Sequence, residues 1–463
     1  MADDINRYLV KSIPIRRPAT LALLVVLMLP TVATSSSDTP QAVQLAQAIA
    51  QVAQPLQQQE SDYDGLLDWI GEARLVMLGE ATHGSAEFIE ERARITRRLV
   101  QEKGFSAVVL EGGAAPAADV DDYVAGRGNS TSAAHALRRF ERFPRWTWRN
   151  REFAAVIESW RSMAAAAVSR ADGTGNTLSV IGMDVYDLPP AVDDVQRHAR
   201  RYMPRLASSA KRTYRCFAPY RPLSIDPMLY GRDVALGLMP SCAHHVSTWH
   251  RLLAARHAAD PTPDNRRAWW SARAIEASER YYRAVYGRGE STHSSWNLRE
   301  LFLAESIDLN LDKFGKIVVW AHNTHQGDAR HSDQRTAGEL TIGQLMRERH
   351  GHAAVRLVAL TTNSGTVRAA SGWATRDDVK PLRPALADSW TGLLHASGLP
   401  AFVLNLRDAR VATLLSEHRL DRAVGVSYLP DNELASHYST SALSGRFDAV
   451  IHIDRTRALT PLP

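Results

Sequence analysis

The sequence predicts an α/β fold, a mostly parallel central sheet flanked by helices, with a large helical insertion lobe over the C-terminal edge of the strands. Three observations predict it. Short apolar runs of strand length recur along the chain and end at glycine, acidic residues or histidine, as at Leu75–Leu78, Phe105–Leu110, Leu178–Met183 and Ile317–Ala321. Long segments of helical periodicity separate them, the alternation expected of βαβ units. One such segment, about 190–313, is far longer than a crossover needs and is expected to form the lobe.

The chain of 463 residues has room for one large α/β domain with a helical insertion. With 45% hydrophobic and 23% charged residues it is neither fibrous nor largely disordered. Its net charge of +5, from 55 basic against 50 acidic residues, is too small to imply nucleic acid. At the N-terminus, Lys11, Arg16 and Arg17 precede an apolar run from Ala19 to Leu29, closed by Pro30 and the small residues Thr31, Val32 and Ala33. This is the pattern of a signal peptide over 1–34. The run is shorter than the roughly 20 residues of a membrane-spanning helix, and an uncleaved N-terminal anchor is the alternative. Export to the periplasm or the medium is therefore expected, with no membrane contact beyond this segment. Cys216 and Cys242 are the two cysteines, and either one disulfide or two unpaired buried thiols fits them.

Residues 35–60, rich in Ser, Gln and Ala, read as a linker running into a weak helix, and 61–463 as one domain. A short amphipathic helix over 61–73 presents Leu66, Leu67, Trp69 and Ile70. The strand Leu75–Leu78 stops at Gly79 and delivers Glu80 and His83 to a strand-to-helix turn. A helix over 85–103 follows, with Ser85 as its cap, Glu87 in its first turn and Gly104 past its end. Phe88, Arg92, Ile95 and Leu99 share one face of it, which places Arg92 inside an apolar stripe. There a guanidinium either finds a carboxylate or snorkels to solvent.

The strand Phe105–Leu110 ends at Glu111-Gly112-Gly113 and completes a βαβ unit, so its end lies at the same sheet edge as Glu80 and His83. The helical stretch about 130–168 carries Trp146 and Trp148 beside Pro144; both tryptophans fit core packing, with substrate contact the alternative. The strand at 178–183 ends at Asp184, and the strand at 317–321 ends at His322-Asn323-Thr324-His325. Ser295-Trp296-Asn297-Leu298-Arg299-Glu300 opens the helix that leads into that last strand. Further strands are expected at Val355–Leu360, Ala401–Leu406, Ala423–Val426 and Ala449–Ile453.

No Gly-x-Ser-x-Gly elbow, Walker loop, Rossmann glycine triplet or His-Glu-x-x-His is present. What remains is a His and Glu set spread over three strand ends: Glu80 with His83, Glu111, and His322 with His325. Two chemistries fit it. His83 could be a general base, held by a carboxylate, that deprotonates a water attacking an ester. Alternatively, His83, His322 and His325 could ligate a divalent metal that generates the hydroxide. Taken alone, His325 also fits a capping or core histidine.

These residues resemble the erythromycin esterase family. The resemblance runs through Gly79-Glu80-Ala81-Thr82-His83-Gly84, Glu90-Glu91-Arg92-Ala93-Arg94, Glu111-Gly112, Trp296-Asn297-Leu298-Arg299 and Ala321-His322-Asn323-Thr324-His325. It continues in Gly425-Val426-Ser427-Tyr428-Leu429-Pro430, Phe447-Asp448-Ala449 and Thr456. It implies hydrolysis of a carboxylic ester, a macrolide lactone in the family's named reaction, with His83 activating water and no covalent intermediate. It further implies Glu80 and Glu111 as carboxylate partners, with Arg92, His322 and His325 completing the site. Trp146, Trp148, Asn297 and Arg299 are the substrate-binding candidates. No cofactor is implied, and the partner is a small-molecule ester. Two features depart from the family: resistance enzymes of this kind are intracellular, and 220–295 carries no recognisable substrate signature. A non-catalytic envelope binding protein that keeps the cleft is the reading from a different class.

Overall fold

In the computed structural model, which describes residues 40–168, 178–287 and 294–463, an eight-stranded sheet forms the centre of the protein. The segment 1–34 lies outside the described residues. The strands are β1 (Gln54–Pro55), β2 (Leu75–Leu78), β3 (Ala107–Gly113), β4 (Ser179–Asp184), β5 (Ile317–Trp320), β6 (Val355–Thr361), β7 (Ser364–Ala370), β8 (Asp377–Leu382), β9 (Ala401–Asn405), β10 (His418–Arg422), β11 (Tyr438–Ala442), β12 (Ala449–Ile453) and β13 (Arg455–Thr456). The central order is β1-β9-β12-β6-β2-β5-β3-β4. Strands from β12 to β4 run parallel, while β9 and β1 close one side antiparallel.

Every residue of β2 and of β5 is buried, because helices cover both faces of a parallel sheet. Val76 and Leu78 face one layer with Phe88, Ile95, Leu99 and Trp320; Leu75 and Met77 face the other with Leu303, Ile307 and Leu311. The first layer is carried by α3 (Ala86–Lys103), after α1 (Pro40–Val52) and α2 (Asp64–Ile70) in the chain, and by α5 (Arg151–Val168), which follows α4 (Ala114–Val124). On α3 the expected face of Phe88, Arg92, Ile95 and Leu99 is buried throughout.

The lobe comprises α6 (Leu188–Tyr202), α7 (Ala207–Thr213), α8 (Leu229–Ala235), α9 (Ala243–Ala259) and α10 (Pro263–Tyr286), before α11 (Ser295–Phe314) returns the chain to β5. It has an apolar core of its own, including Val192, Val195, Tyr214, Trp249, Ile275 and Tyr282. It docks over the C-terminal end of β4, where Trp270 Nε1 donates to the Gly182 carbonyl at 2.8 Å and the Tyr282 hydroxyl to Val185 at 3.1 Å. A Cys216–Cys242 disulfide closes part of the lobe.

Several expectations are corrected. Residues 40–55 are no linker, since Leu45 and Ile49 of α1 enter the core and β1 pairs with β9. Their four-residue spacing is hidden in a Gln/Ala-rich composition. The stretch 130–168 is broken into a short helix, two 3₁₀ turns and α5, and Pro144, which lacks an amide proton, stands at the break. Ser85 does not cap α3 with its side chain; its hydroxyl bonds those of Thr82 and Thr456 at 2.5 and 3.3 Å. β5 lies between β2 and β3, so that pair is parallel without being adjacent. No strand forms at 423–426: β10 ends at Arg422, and Val424 instead accepts from the His83 amide (3.3 Å) and donates to Ala81 (2.7 Å). The hairpin β7–β8 was not expected at all. Among the described residues no helix is long and apolar enough to cross a membrane.

The disulfide spans 26 residues, so replacing both cysteines by serine should cost about 3 kcal/mol of unfolding free energy on loop-entropy grounds. Urea unfolding of wild type and double variant checks it; coincident midpoints would show that the crosslink constrains nothing.

Candidate active site

The first corner of the site is the turn after β2. Gly79 is required there by close approach, since a Cβ at this position would stand 1.9 Å from Asn323 Oδ1. The Asn323 amide donates to the Glu80 carbonyl at 2.9 Å, which ties the turn after β2 to the turn after β5. Glu80 is buried and works with both oxygens. Oε1 accepts from His83 Nδ1 at 2.9 Å, and Oε2 accepts from Arg92 Nη2 at 2.7 Å. Arg92 does not snorkel. It is 1% exposed, donates from Nε to the Phe88 carbonyl at 3.1 Å and stacks 4.7 Å over Trp320. Burial lowers its pKa, against the opposing pull of Glu80 and Glu111. A carboxylate on Nδ1 selects the tautomer with a free lone pair on His83 Nε2. His83 keeps 12% of its side chain exposed in an otherwise buried cluster.

The second corner centres on Arg299. Its Nε and Nη2 reach Asp184 Oδ1 and Oδ2 at 2.9 and 2.7 Å, and Nη2 also reaches Glu111 Oε1 at 2.7 Å. The guanidinium lies 4.9 Å over the Tyr186 ring. Glu111 Oε1 is 3.2 Å from His325 Nε2, and its Oε2 accepts from the His322 backbone amide at 2.8 Å. On the far side of His325, Nδ1 bonds Glu300 Oε1, whose other oxygen accepts from the Ile342 amide at 2.8 Å. Trp296 stacks on the His325 ring at 4.6 Å, with 9° between the planes.

Charge follows from these contacts. Burial alone would deprotonate His325, but Glu300 and Glu111 outweigh it and raise its pKa to about 9. The two carboxylates favour the imidazolium, while Arg299 Nη1, 2.9 Å from Nε2, works against it. Burial pushes Glu111 up, yet His325 and Arg299 hold it well below the usual carboxylate range. Burial would lower Arg299, and Asp184 leads the groups that raise it far above its ordinary value. His322 behaves oppositely: burial and the neighbouring His83 keep it neutral. Its Nδ1 accepts from the Thr324 amide at 3.3 Å, so Nε2 carries the proton. That Nε2–H makes no hydrogen bond of ordinary geometry, and the His322 ring sits 4.7 Å from that of His83.

The neighbours of these histidines compete with a metal for their nitrogens. His325 Nδ1 is engaged by Glu300, its Nε2 lies 2.9 Å from Arg299 Nη1 and 3.2 Å from Glu111, and two guanidiniums stand within the same cluster. Among the described residues no three His, Cys, Asp or Glu side chains are grouped as ligands.

The remaining sequence candidates have other places. Trp146 and Trp148 are 1% and 5% exposed and offer a substrate no surface; Trp148 Nε1 donates to the Glu111 carbonyl at 3.0 Å. Asn297 staples a loop, donating to the Gly338 carbonyl and accepting from the Leu340 amide at 2.9 and 2.8 Å. Two site residues escaped sequence reasoning. Asp184 ends a parallel strand just as Glu111 does, and that position was the available signal. Glu300 adjoins Arg299 in the same motif. Beyond Arg299, the half-buried rings of Tyr186, Trp373 and Phe143 form a ladder, with centroid spacings of 5.6 and 5.1 Å. Three distant segments supply it, which is why no local pattern showed it.

Because the folded pKa of His325 is raised from 6.5 to about 9, its stabilisation is fully present below pH 6.5 and lost as pH rises through 9. Urea unfolding across that range should show wild-type stability falling and His325→Gln lacking this component. Parallel pH curves for the two proteins would refute the assignment.

Three comparisons bear on identity. The family model for erythromycin esterase matches residues 100–456. Erythromycin esterase type I of Escherichia coli is 38% identical over 87 residues, a match covering 19% of this chain and 20% of that enzyme. Among solved structures, a Bacillus cereus protein superposes with TM-score 0.74 at 20% identity, covering 91% of this chain and 99% of its own. A succinoglycan biosynthesis protein gives 0.72 at 21% identity, covering 90% and 98%. A mutant of erythromycin esterase EreC in its open conformation gives 0.61 at 19% identity, covering 85% and 94%. At these identities the structural likeness speaks for the fold, whereas the family model spans most of the chain. The protein belongs to the erythromycin esterase family.

Proposed function

We propose that the protein hydrolyses carboxylic esters, with a macrolide lactone as the substrate class suggested by its family, through a water activated by His83 without a covalent intermediate or a metal. The observation that carries this reading is the Glu80–His83 pair. Glu80 is fixed from behind by Arg92 and holds His83 Nδ1, and His83 is the most exposed side chain of the cluster. A base so oriented needs only a water on its Nε2 side.

In the proposed reaction His83 Nε2 takes a proton from water as the oxygen bonds to the acyl carbon, and the carbonyl π electrons move onto its oxygen. The Nε2–H of neutral His322, beside His83, is a donor available to that developing oxyanion. When the C–O bond to the alcohol breaks, His83 returns the proton to the leaving alkoxide. Acid and alcohol are the products, and the enzyme is unchanged. Glu111, Arg299, Asp184, His325 and Glu300 hold His322 and the sheet edge in place and need not touch the substrate.

A 14-membered macrolide and p-nitrophenyl esters are the substrates to try, in metal-stripped buffer. His83→Ala should lower kcat by about 10²–10⁴-fold, the range of general-base catalysis, and mass spectrometry should show one water added by wild type only. Full activity in His83→Ala would remove the base assignment; activity only after metal is restored would overturn the metal-free mechanism.

The Tyr186–Trp373–Phe143 ladder adjoins the charged cluster through the Arg299–Tyr186 contact and is suited to the body of a large ester. Trp373→Ala should raise KM by up to about tenfold, the scale of one aromatic contact, with kcat unchanged. A fall in kcat at constant KM would place Trp373 in the chemistry instead.

A further inference from the structure

A surface of the lobe remote in sequence from the catalytic motifs carries charge that no carboxylate among the described residues pairs with. From Val195 to Ile225 there are eight Lys and Arg residues and no Asp or Glu. Arg197 and Arg221 reach back to Asp194 and Asp193. The other six, Arg200, Arg201, Arg205, Lys211, Arg212 and Arg215, are exposed and make no ion pair among the described residues. In the buried seam beneath them, Arg267 by contrast is shared by Asp119, Asp122 and Asp194.

The six cations lie on consecutive elements. On α6 the buried Val192, Val195 and Ala199 turn Arg200 and Arg201 toward solvent, and after the bend at Pro204–Leu206 the buried Ala210, Tyr214 and Phe217 do the same for Lys211, Arg212 and Arg215. Apolar side chains flank them. Leu206, between the two helices, is 39% exposed, while Leu236 and Leu238 are 51% and 71% exposed. The disulfide holds Cys242 within 6.6 Å (Cα–Cα) of Cys216, the residue next to Arg215, and Met239, which follows Leu238, lies 3.1 Å from the Tyr220 hydroxyl of the same segment.

We propose that this face docks on an anionic lipid bilayer, with the cations on the headgroups and the leucines at the acyl boundary. Unpaired cations alone would suit any polyanion. Exposed leucines beside them find an apolar phase only in lipid, the combination that gives interfacial binding. The proposal is independent of the ester-hydrolase reading and of the N-terminal segment.

Co-sedimentation of the purified protein with phosphatidylglycerol-containing and pure phosphatidylcholine vesicles tests it. Binding should require phosphatidylglycerol and weaken with salt. The triple variant Arg200→Gln/Arg201→Gln/Arg205→Gln should bind about a hundredfold more weakly, at roughly fivefold per cation. Leu236→Ser/Leu238→Ser should also weaken binding at constant charge, and His83→Ala should bind like wild type. No preference for phosphatidylglycerol vesicles in the wild type overturns the proposal, whatever the folding of the variants. So does double-stranded DNA binding of equal strength that ignores the leucine substitutions, which would make the face a nucleic-acid surface.

Discussion

The buried guanidinium of Arg299 is the interaction on which the site depends. It comes from the helix that leads into β5 and is shared by carboxylates at the ends of β3 and β4. Two carboxylates brought together out of water would repel and take up protons. A planar cation between them offsets that repulsion, because its N–H groups reach Asp184 and Glu111 at once. Glu111 then has an oxygen to spare for the His322 amide, and it shares His325 with Glu300. The third and fourth strands, the β5 turn and the helix before it are thereby joined through one charge.

The same logic recurs on a smaller scale at Glu80, which lies between Arg92 and His83. Here one end of the chain of contacts is left at the surface. His83 combines a buried carboxylate behind it with solvent in front, and its neighbour His322 is kept neutral while His325 is kept charged. His322 and His325 thus differ in protonation because their partners differ: a backbone amide for one, two carboxylates and a guanidinium for the other. A site of this kind is pre-set before substrate arrives, since the turns that carry it are clamped to one another through Gly79, Asn323 and Val424.

The lobe shows how charge is divided between the protein's halves. At the sheet edge nearly every cation has its carboxylate. On the outer helices of the lobe six do not, and the apolar side chains beside them are exposed rather than covered. The sequence average of +5 hides this division, because the acidic residues that balance the total lie elsewhere.

Much of this was legible in the linear chain. Buried parallel strands appear as unbroken apolar runs, so β2, β3, β4, β5, β6, β9 and β12 and the polar residues at their ends could be read directly, and Arg92 announced its need for a partner by its place in an apolar stripe. Periodicity reports only what a residue's own element buries. It could not show that Leu45 and Ile49 join the core, that 423–426 serves as a clamp rather than a strand, or that Trp146, Trp148 and Asn297 are structural. Nor could it show Asp184 and Glu300 as partners of Arg299 and His325. The sequence by itself determined which chemical groups stand at the sheet edge, because strand ends and apolar spacing are local. Only the tertiary structure decided which histidine is charged, which is neutral and which meets solvent, because protonation and exposure depend on partners that the chain brings together from more than two hundred residues away.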